Sequence, residues 1–333
     1  MPELRQNWTT KEWVVMATER AKRPEDFKRD KVREPLPHYS PKCPFCQGNE
    51  AMAPPEEMRI EGEEGWAVRV VPNKFAALAR EGAVVRHISR SRRTISGVGI
   101  HDVIVESPDH AATTALLPVE GVLNILQAYR RRYLAVCEDK RIVHITIFKN
   151  HGAGAGTSLE HPHSQLIATP VISHQVRQRI YEALRHYDEY GECMFCEEIK
   201  EEVEDGSRIV ELSEHFVAIA PFASPTPFSM HIFPRRHMAS FGDVTFDELT
   251  DLARVLRTLL AKLYQGLSDP DFNYTIRSAP VESRSAAYYH WYLSVIPRMT
   301  QVAGFELGSG MFINTVLPEK AAEFLRNFQL NGR

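Results

Sequence analysis

The chain has 333 residues, with 40 Lys or Arg against 43 Asp or Glu, so its formal net charge is only −3. This balance argues against a general nucleic-acid-binding protein, which should be basic overall or along a long patch. The hydrophobic fraction of 43% is ordinary for a globular protein. No apolar run reaches transmembrane length and the first residues lack the apolar core of a signal peptide, so we expect a cytoplasmic protein with no membrane partner.

The first half of the chain combines strand-like and helical patterns in a definite order. A turn and a short strand are expected just after Trp8. The segment 80–96 carries Arg90, Arg92 and Arg93 among serines, which indicates a loop. Alternation and helical spacing predict the main elements of this half, which are strands at 67–71, 103–107 and 143–148 and a long helix at 119–137.

The second half repeats this order. A turn is predicted at 193–196, strands at 215–222, 229–237 and 272–277, and a helix at 246–264. His290 follows His237 at nearly the same distance along the chain as His161 follows His110. This internal repeat predicts an α+β fold of two tandem halves, 1–175 and 176–333, each with a mostly antiparallel sheet and one long helix.

Four of the five cysteines form two Cys-x-x-Cys pairs, while Cys137 lies alone in a helical pattern as a small apolar residue. In a long chain without secretory features, such pairs indicate metal or redox sites rather than disulfides. Two histidines follow each pair, and two cysteines with two histidines suit tetrahedral Zn²⁺. The alternative is a set of buried thiols beside hydrogen-bonded histidines. The predicted ligand sets are Cys43, Cys46, His110 and His161, and Cys193, Cys196, His237 and His290.

Four protein ligands would close each metal site, leaving no position for an activating water, so both metals are expected to be structural. The first metal would still serve the chemistry, because His161 as a ligand fixes the backbone that aims His163.

The segment 160–165, Glu-His-Pro-His-Ser-Gln, carries the candidate nucleophile. In an extended segment, His161, His163 and Gln165 point to one side. A neutral imidazole attacks electrophiles near neutral pH and, once phosphorylated, is a good leaving group. His163 is therefore predicted to attack a nucleotide phosphorus, although alone it would be an ordinary strand histidine.

Two neighbouring features complete this prediction. Gln165 and the backbone of 154–158, including Gly156, would stabilise the non-bridging phosphate oxygens. The second half carries Tyr292 and Ser294 where the first has His163 and Gln165, so one nucleophile per chain is expected.

The chain resembles the galactose-1-phosphate uridylyltransferase family, the transferase branch of the histidine-triad superfamily, nearly from end to end. The resemblance rests on these motifs: Arg5-x-Asn7, Thr10-x-Glu12-Trp13, Arg20-Ala-Lys-Arg-Pro24, Cys43-Pro-x-Cys46, Pro72-Asn-Lys-Phe75, Ser107-Pro-x-His110, Asn150 with its glycine loop, His161-Pro-His-x-Gln165 and Gly304-Phe-Glu306.

The resemblance implies a two-step reaction through a covalent nucleotidyl-histidine at His163. It implies nucleotide or phosphate contacts by Asn73, Asn150, Ser158 and Gln165. Arg20 and Arg23 match phosphate-binding residues that the family contributes across a homodimer interface, and Glu306 matches a residue that binds sugar hydroxyls.

The tail at 304–314 and the uninterrupted run 160–170 resemble more closely the branch that includes ADP-glucose phosphorylase. The leading hypothesis is UDP-glucose–galactose-1-phosphate uridylyl transfer in galactose metabolism, and the runner-up is adenylyl transfer from ADP-glucose to phosphate. A third reading is a non-catalytic, zinc-stabilised nucleotide-binding protein. The expected partners are a nucleotide sugar, a sugar 1-phosphate or phosphate, and a second copy of the chain; the second metal site could hold zinc or iron.

Overall fold

The computed structural model of the chain describes residues 1–20, 24–27 and 33–331. The described strands are β1 (Glu3–Gln6), β2 (Trp13–Met16), β3 (Met58–Gly62), β4 (Gly65–Pro72), β5 (Arg86–Ser89), β6 (Arg92–Ile95), β7 (Ile100–Val105), β8 (His144–His151), β9 (His163–Thr169), β10 (Ile209–Leu212), β11 (Phe216–Ile219), β12 (Met230–Pro234), β13 (Phe272–Arg277), β14 (Tyr292–Pro297) and β15 (Phe312–Asn314). The α-helices are α1 (Val119–Cys137), α2 (His174–Tyr190), α3 (Met194–Asp205), α4 (Phe246–Gly266), α5 (Gly304–Ser309) and α6 (Pro318–Asn327).

One sheet carries both halves of the chain. Its order in the described residues is β10-β11-β12-β14-β13-β8-β9-β7-β4-β3, and every adjacent pair is antiparallel. The strand orders on the two sides of the central β8–β13 pair match, because β9 and β14 occupy equivalent positions, as do β7 and β12. The prediction of an α+β fold built from two similar halves is confirmed. The division at residue 175 stays a prediction, because the ladder between β8 and β13 joins the halves.

Helices α1 and α4 cover one face of this sheet and form the main core with it. The structure confirms the helix predicted at 119–137, and α4 extends the one predicted at 246–264 by two residues. Thr245 and Glu248 cap α4 reciprocally, with each side chain accepting from the other residue's backbone N–H. Leucines at helical spacing form a buried stripe on α4 that packs against the sheet. Because α1 and α4 cover this face, the site lies on the opposite face of the sheet.

Two local predictions are wrong. The segment 80–96 is not simply a loop, since β5 and β6 form an antiparallel hairpin whose turn places Arg90 at φ 53°. Most of its residues are exposed, so it lacks the apolar alternation that reveals a strand. The second cysteine pair is not a simple turn either, because Cys193 caps α3 and Cys196 lies in its first turn.

Helix α2 was not predicted from the sequence. It buries only four of its seventeen residues, so its apolar stripe is weak. Ser173, whose side chain accepts from the Val176 N–H at 3.3 Å, was the available start signal. None of the helices described is both long and apolar enough to cross a membrane.

A buried ion pair lies between the sheet and α1, directly behind the strand that carries the site. The Lys149 ammonium donates to the Glu106 carboxylate, and both side chains are almost fully excluded from solvent. Thr114 and Tyr129 donate to the same carboxylate at 2.9 and 3.0 Å, and Tyr129 also contacts Ser164 at 2.7 Å. Burial opposes the charge of Glu106, but Lys149 overrides it and holds the pKa of this carboxyl below its usual value.

Removing one partner of this pair should destabilise the fold, because the other charge is left buried without compensation. Lys149→Met is expected to lower the free energy of unfolding by about 3–5 kcal/mol in denaturant titrations. Lys320→Met is the matched control, since the Lys320–Glu323 pair lies exposed on α6, and it should change stability by less than about 1 kcal/mol. Equal losses in the two variants would contradict this role for the buried pair.

Candidate active site and metal centres

The first predicted metal set is assembled from three separate parts of the chain. Cys43 and Cys46 lie in a tight turn before β3, His110 follows β7, and His161 directly precedes β9. All four side chains are buried, and their ligand atoms lie within 4.8 Å of one another. The prediction that these four residues meet is confirmed.

The spacing inside this cluster fits a tetrahedral ion. Bonds of zinc length predict about 3.3 Å between two ligand nitrogens and about 3.6 Å between nitrogen and sulfur. The Nδ1 atoms of His110 and His161 are 3.3 Å apart, and the Cys46 Sγ lies 3.4 and 3.7 Å from them. Four soft or borderline donors at these distances can hold a metal ion of this size.

The His161 ring is held so that Nδ1 faces the cluster. Its Nε2–H donates to the Ser107 carbonyl at 2.8 Å, which places the lone pair on Nδ1. Burial lowers the pKa of His161 to about 4, so the ring stays neutral, as a metal ligand must be.

The second cluster has the same geometry in the other half. The Cys196 Sγ lies 3.3 Å from His237 Nδ1 and 3.5 Å from His290 Nδ1. The remaining ring nitrogens donate to the carbonyls of Ala286 and Pro234. Cys193 and His290 are buried while His237 is exposed, so this centre is more open to solvent than the first.

His163 opens β9 and lies buried beside Phe45. Its Nδ1–H donates to the backbone carbonyl of His161 at 2.8 Å, which leaves Nε2 as the atom with the free lone pair. Burial lowers the pKa of His163 and favours the neutral ring. His161 lies outside the strand, so the two histidines do not share one strand face as expected from the sequence; instead, His161 holds His163 through its carbonyl.

Gln165 lies two residues along the same face of β9 and is oriented by His101 on β7. The Ala77 N–H donates to His101 Nδ1 at 3.1 Å, so His101 carries its proton on Nε2. That N–H donates to Gln165 Oε1 at 2.7 Å, which is the acceptor near Nε2, whereas the Asn73 Nδ2 at 3.0 Å is itself a donor and cannot take this proton. The amide oxygen of Gln165 is therefore occupied, and its NH₂ group is the end left for another acceptor.

A cavity of about 220 Å³ lies beside these residues, between the first cysteine turn, the end of β4 and the glycine loop. Its walls include Phe45, Phe75 and Leu159. Four of the residues predicted for the site line it, which are Asn73, Ser158, His163 and Gln165.

The glycine loop is closed by its own hydrogen bonds. The amides of 155–157 donate to carbonyls of Gly152 and Ala153, and the Gly154 N–H donates to the Asp271 carboxylate at 2.8 Å. A loop-wide cradle of free amides, as expected from the sequence, is therefore not what the chain forms. Among the described residues of this loop, Ser158 is the one at the cavity whose N–H and hydroxyl remain available.

The other predicted contacts lie outside this cavity. Asn150 accepts from Asn273 at 2.7 Å, and Gly156 adopts φ 88°, which favours glycine, at the end of the loop turn. Arg20 is exposed, and Glu306 accepts from the Ala303 N–H on α5. Arg23 lies outside the described residues.

Two residues of the site were given no role in the sequence analysis, His101 behind Gln165 and Phe75 at the cavity. His101 lies on a strand like any other histidine, and only its long-range contact with Gln165 reveals its position. Phe75 lines the cavity and is 85% exposed, which is unusual for a phenylalanine. Its place at the end of the Pro72-Asn-Lys-Phe75 motif was the signal available in the sequence.

Each cluster should bind one metal ion independently. Cys43→Ser and Cys193→Ser are each expected to reduce the bound metal from two equivalents per chain to one, measured by elemental analysis of the purified protein. Cys137→Ser is the control, because this buried thiol on α1 belongs to neither cluster. Two full equivalents in either cluster variant would show that the four side chains are not a ligand set.

Comparison with known proteins places this geometry in a family. Residues 1–173 match the family model of the galactose-1-phosphate uridyl transferase N-terminal domain, and residues 175–331 match that of the C-terminal domain. The ADP-glucose phosphorylase of Arabidopsis thaliana is 37% identical, over 99% of this chain and 93% of that protein. The galactose-1-phosphate uridylyltransferase of Thermotoga maritima is 28% identical, over 99% of each.

Solved structures agree with these matches. The crystal structure of the Arabidopsis thaliana ADP-glucose phosphorylase with bound ADP-glucose superimposes with a TM-score of 0.84 at 33% identity, covering 99% of this chain and 100% of that one. A uridylyltransferase structure superimposes with a TM-score of 0.75 at 25% identity, covering 98% and 97%. The protein is an enzyme of the nucleotidyltransferase type and belongs to the galactose-1-phosphate uridylyltransferase family.

Proposed function

We propose that the protein transfers a nucleoside monophosphate from a nucleotide sugar through a covalent bond to His163. Nε2 attacks the α-phosphorus, the bond from that phosphorus to the sugar phosphate breaks, and the sugar 1-phosphate leaves with the electron pair. An acceptor phosphate then displaces the imidazole, and Nε2 recovers its lone pair. The observation that carries this proposal is the 2.8 Å bond from His163 Nδ1 to the His161 carbonyl, which directs Nε2 to the cavity.

The same bond supports the intermediate. A phosphorylated ring that keeps its Nδ1 proton is positively charged, and the carbonyl of His161 accepts from that N–H and stabilises the charge. Because the carbonyl belongs to a residue whose ring lies in the first cluster, its position is fixed before substrate arrives.

Gln165 is proposed to stabilise the phosphorus oxygens during transfer. His101 occupies its amide oxygen, so the NH₂ group can donate to a non-bridging oxygen. Ser158 offers a second donor from the glycine loop, and the exposed ring of Phe75 offers a stacking surface for the base.

We propose Zn²⁺ for both clusters, held by the two cysteines and two histidines of each half. Each ion would supply a rigid cross-link between distant parts of the chain, with no open position for a reacting group. For the second cluster, whose two cysteines and two histidines also suit iron, iron is the alternative occupant.

Adenylyl transfer from ADP-glucose to phosphate is the specific reaction we favour. It is supported by the 37% identity to an ADP-glucose phosphorylase, against 28% for the Thermotoga maritima uridylyltransferase, each across nearly the whole chain. Uridylyl transfer between UDP-glucose and a hexose 1-phosphate, in galactose metabolism, is the second candidate, because the family models match both halves.

We further propose a homodimer. Arg20 is exposed and neither Arg20 nor Glu306 lines the cavity of its own chain. We therefore propose that these residues contact substrate in the site of a second subunit, with the same role for Arg23.

The covalent step and the nucleotide can be tested together. With donors labelled at the α-phosphorus, ADP-glucose should label the protein faster than UDP-glucose, and added phosphate should release the label as ADP. His163→Ala should abolish labelling while the melting temperature stays unchanged, since no cluster ligand is lost. Label from UDP-glucose alone would favour the uridylyl reaction, and no label from either donor would contradict the covalent mechanism.

His101 should act as a positioning residue for Gln165. His101→Ala is expected to lower kcat roughly tenfold to a hundredfold with little change in KM, because the amide is then free to rotate away from the phosphorus oxygens. His101→Gln retains a donor for Gln165 and should recover part of the loss. His87→Ala, on the exposed strand β5, is the control. A change in KM or melting temperature without a change in kcat would argue against the positioning role.

A further inference from the structure

The second half of the chain has its own polar cavity, next to the strand position that the repeat relates to His163. In the first half, Lys149 on β8 is paired with Ser164 on β9, so the next residue, Asn150, lies opposite His163. In the second half, Arg277 is paired with Tyr292 on β14. Arg277 and Tyr292 thus stand where Asn150 and His163 stand in the other half, so a cation replaces the amide of the first site.

A cavity of about 160 Å³ adjoins Arg277. Arg179 of α2 and His144 of β8 also line it, and each is only 8% exposed. Thr275 and Ser278 add hydroxyl groups, and the exposed Ser173 and Gln175 lie at its edge, where a ligand could enter. None of the residues that line this cavity lines the cavity beside His163.

Two polar atoms of this cavity lack partners in the described parts of the chain, while others are already hydrogen-bonded. Arg179 Nη1 donates to the Gln175 carbonyl at 3.4 Å, and the Ser278 hydroxyl accepts from the Phe241 N–H at 3.1 Å. Arg179 Nε and His144 Nδ1 are buried without a hydrogen bond. No described carboxylate forms an ion pair with Arg179 or Arg277, and Glu12, the carboxylate that acts on both from a distance, is exposed and accepts from Thr10. A buried guanidinium without a counter-charge is costly, so the site is incomplete without an anion.

The N-terminus of α2 reinforces the positive character of the cavity. Ser173 caps the Val176 N–H, which leaves the amides of His174 and Gln175 without a helical partner at the cavity edge. Burial and then Arg277 lower the pKa of His144 to about 4, so this ring stays neutral and can donate or accept a hydrogen bond. The geometry of the cavity, its positive charge and its unpaired donors therefore all favour an anionic ligand.

We propose that this cavity binds a phosphate dianion, either inorganic phosphate or the phosphate group of a sugar monoester. Arg179 and Arg277 supply charge-assisted hydrogen bonds, and the hydroxyls and the α2 amides complete the shell. The site is separate from the transfer site and lies on the shared sheet, at the junction of β8 and β13.

Calorimetric titration of the full-length protein with inorganic phosphate tests the proposal. The titrations use Gln165→Ala, whose phosphate binding at the transfer site is weakened, as the background for every further change. Arg179→Gln and Arg277→Gln should each weaken the remaining phosphate binding at least tenfold, since each removes a charge-assisted bond. Arg177→Gln removes an exposed cation from the same helix and should leave the affinity unchanged.

The remaining outcomes are also decisive. Equal phosphate affinity in all variants, or an equal loss in the Arg177 control, would overturn the site. Arg277→Lys keeps the charge, so intermediate affinity with an unchanged melting temperature is expected if Arg277→Gln fails to fold. Competition between glucose 1-phosphate and phosphate in the Gln165→Ala background would identify a monoester as ligand, and its absence would identify inorganic phosphate.

Discussion

One residue joins the framework of this protein to its chemistry. The His161 ring contributes Nδ1 to the first cluster, while its backbone carbonyl accepts the Nδ1–H of His163. A rotation of the His163 ring would break that bond, and a shift of the carbonyl would disturb the cluster. The tautomer and direction of the His163 ring are therefore set by the same constraint that ties the first cysteine turn to the start of β9.

The two halves of the duplicated sheet share a scaffold but differ in the side chains at the candidate site. Both halves place two cysteines and two histidines at corresponding ends of their strands, so each can be cross-linked in the same way. The difference lies in the side chains on the sheet face opposite α1 and α4, where His163 and Gln165 are replaced by Tyr292 and Ser294. The repeat thus preserves the scaffold and varies the chemistry, including the arginines of the second cavity.

Support behind the site comes from buried polar groups rather than from apolar packing alone. Lys149 and Glu106 pair beneath β9, and Tyr129 links this pair to Ser164, the neighbour of His163. Each member has its partners, which is the condition under which buried polar groups rigidify a site. Such a network restricts the movement of the strand from the core side, while His161 restricts it from its end.

Much of the fold and of the candidate site could be predicted from the sequence alone. The order of cysteine pairs, histidines and long helices appears twice in the sequence. A repeated order can be recognised without knowing which residues are in contact or how far apart they lie. Both sets of two cysteines and two histidines and the two main helices were predicted in this way, and the structure brings each set together, while the role of His163 as nucleophile stays a prediction. The hairpin at 86–95 and α2 were missed, because mostly exposed elements leave little apolar pattern.

Only the tertiary structure decided how those residues act. The free nitrogen of His163, the His101 contact to Gln165, the closed amides of the glycine loop and the Arg179 Nε left without a partner among the described residues all depend on the positions of individual atoms. Hydrogen bonds form over about 3 Å and within narrow angles, so residue types cannot specify them until the fold has fixed where each group lies.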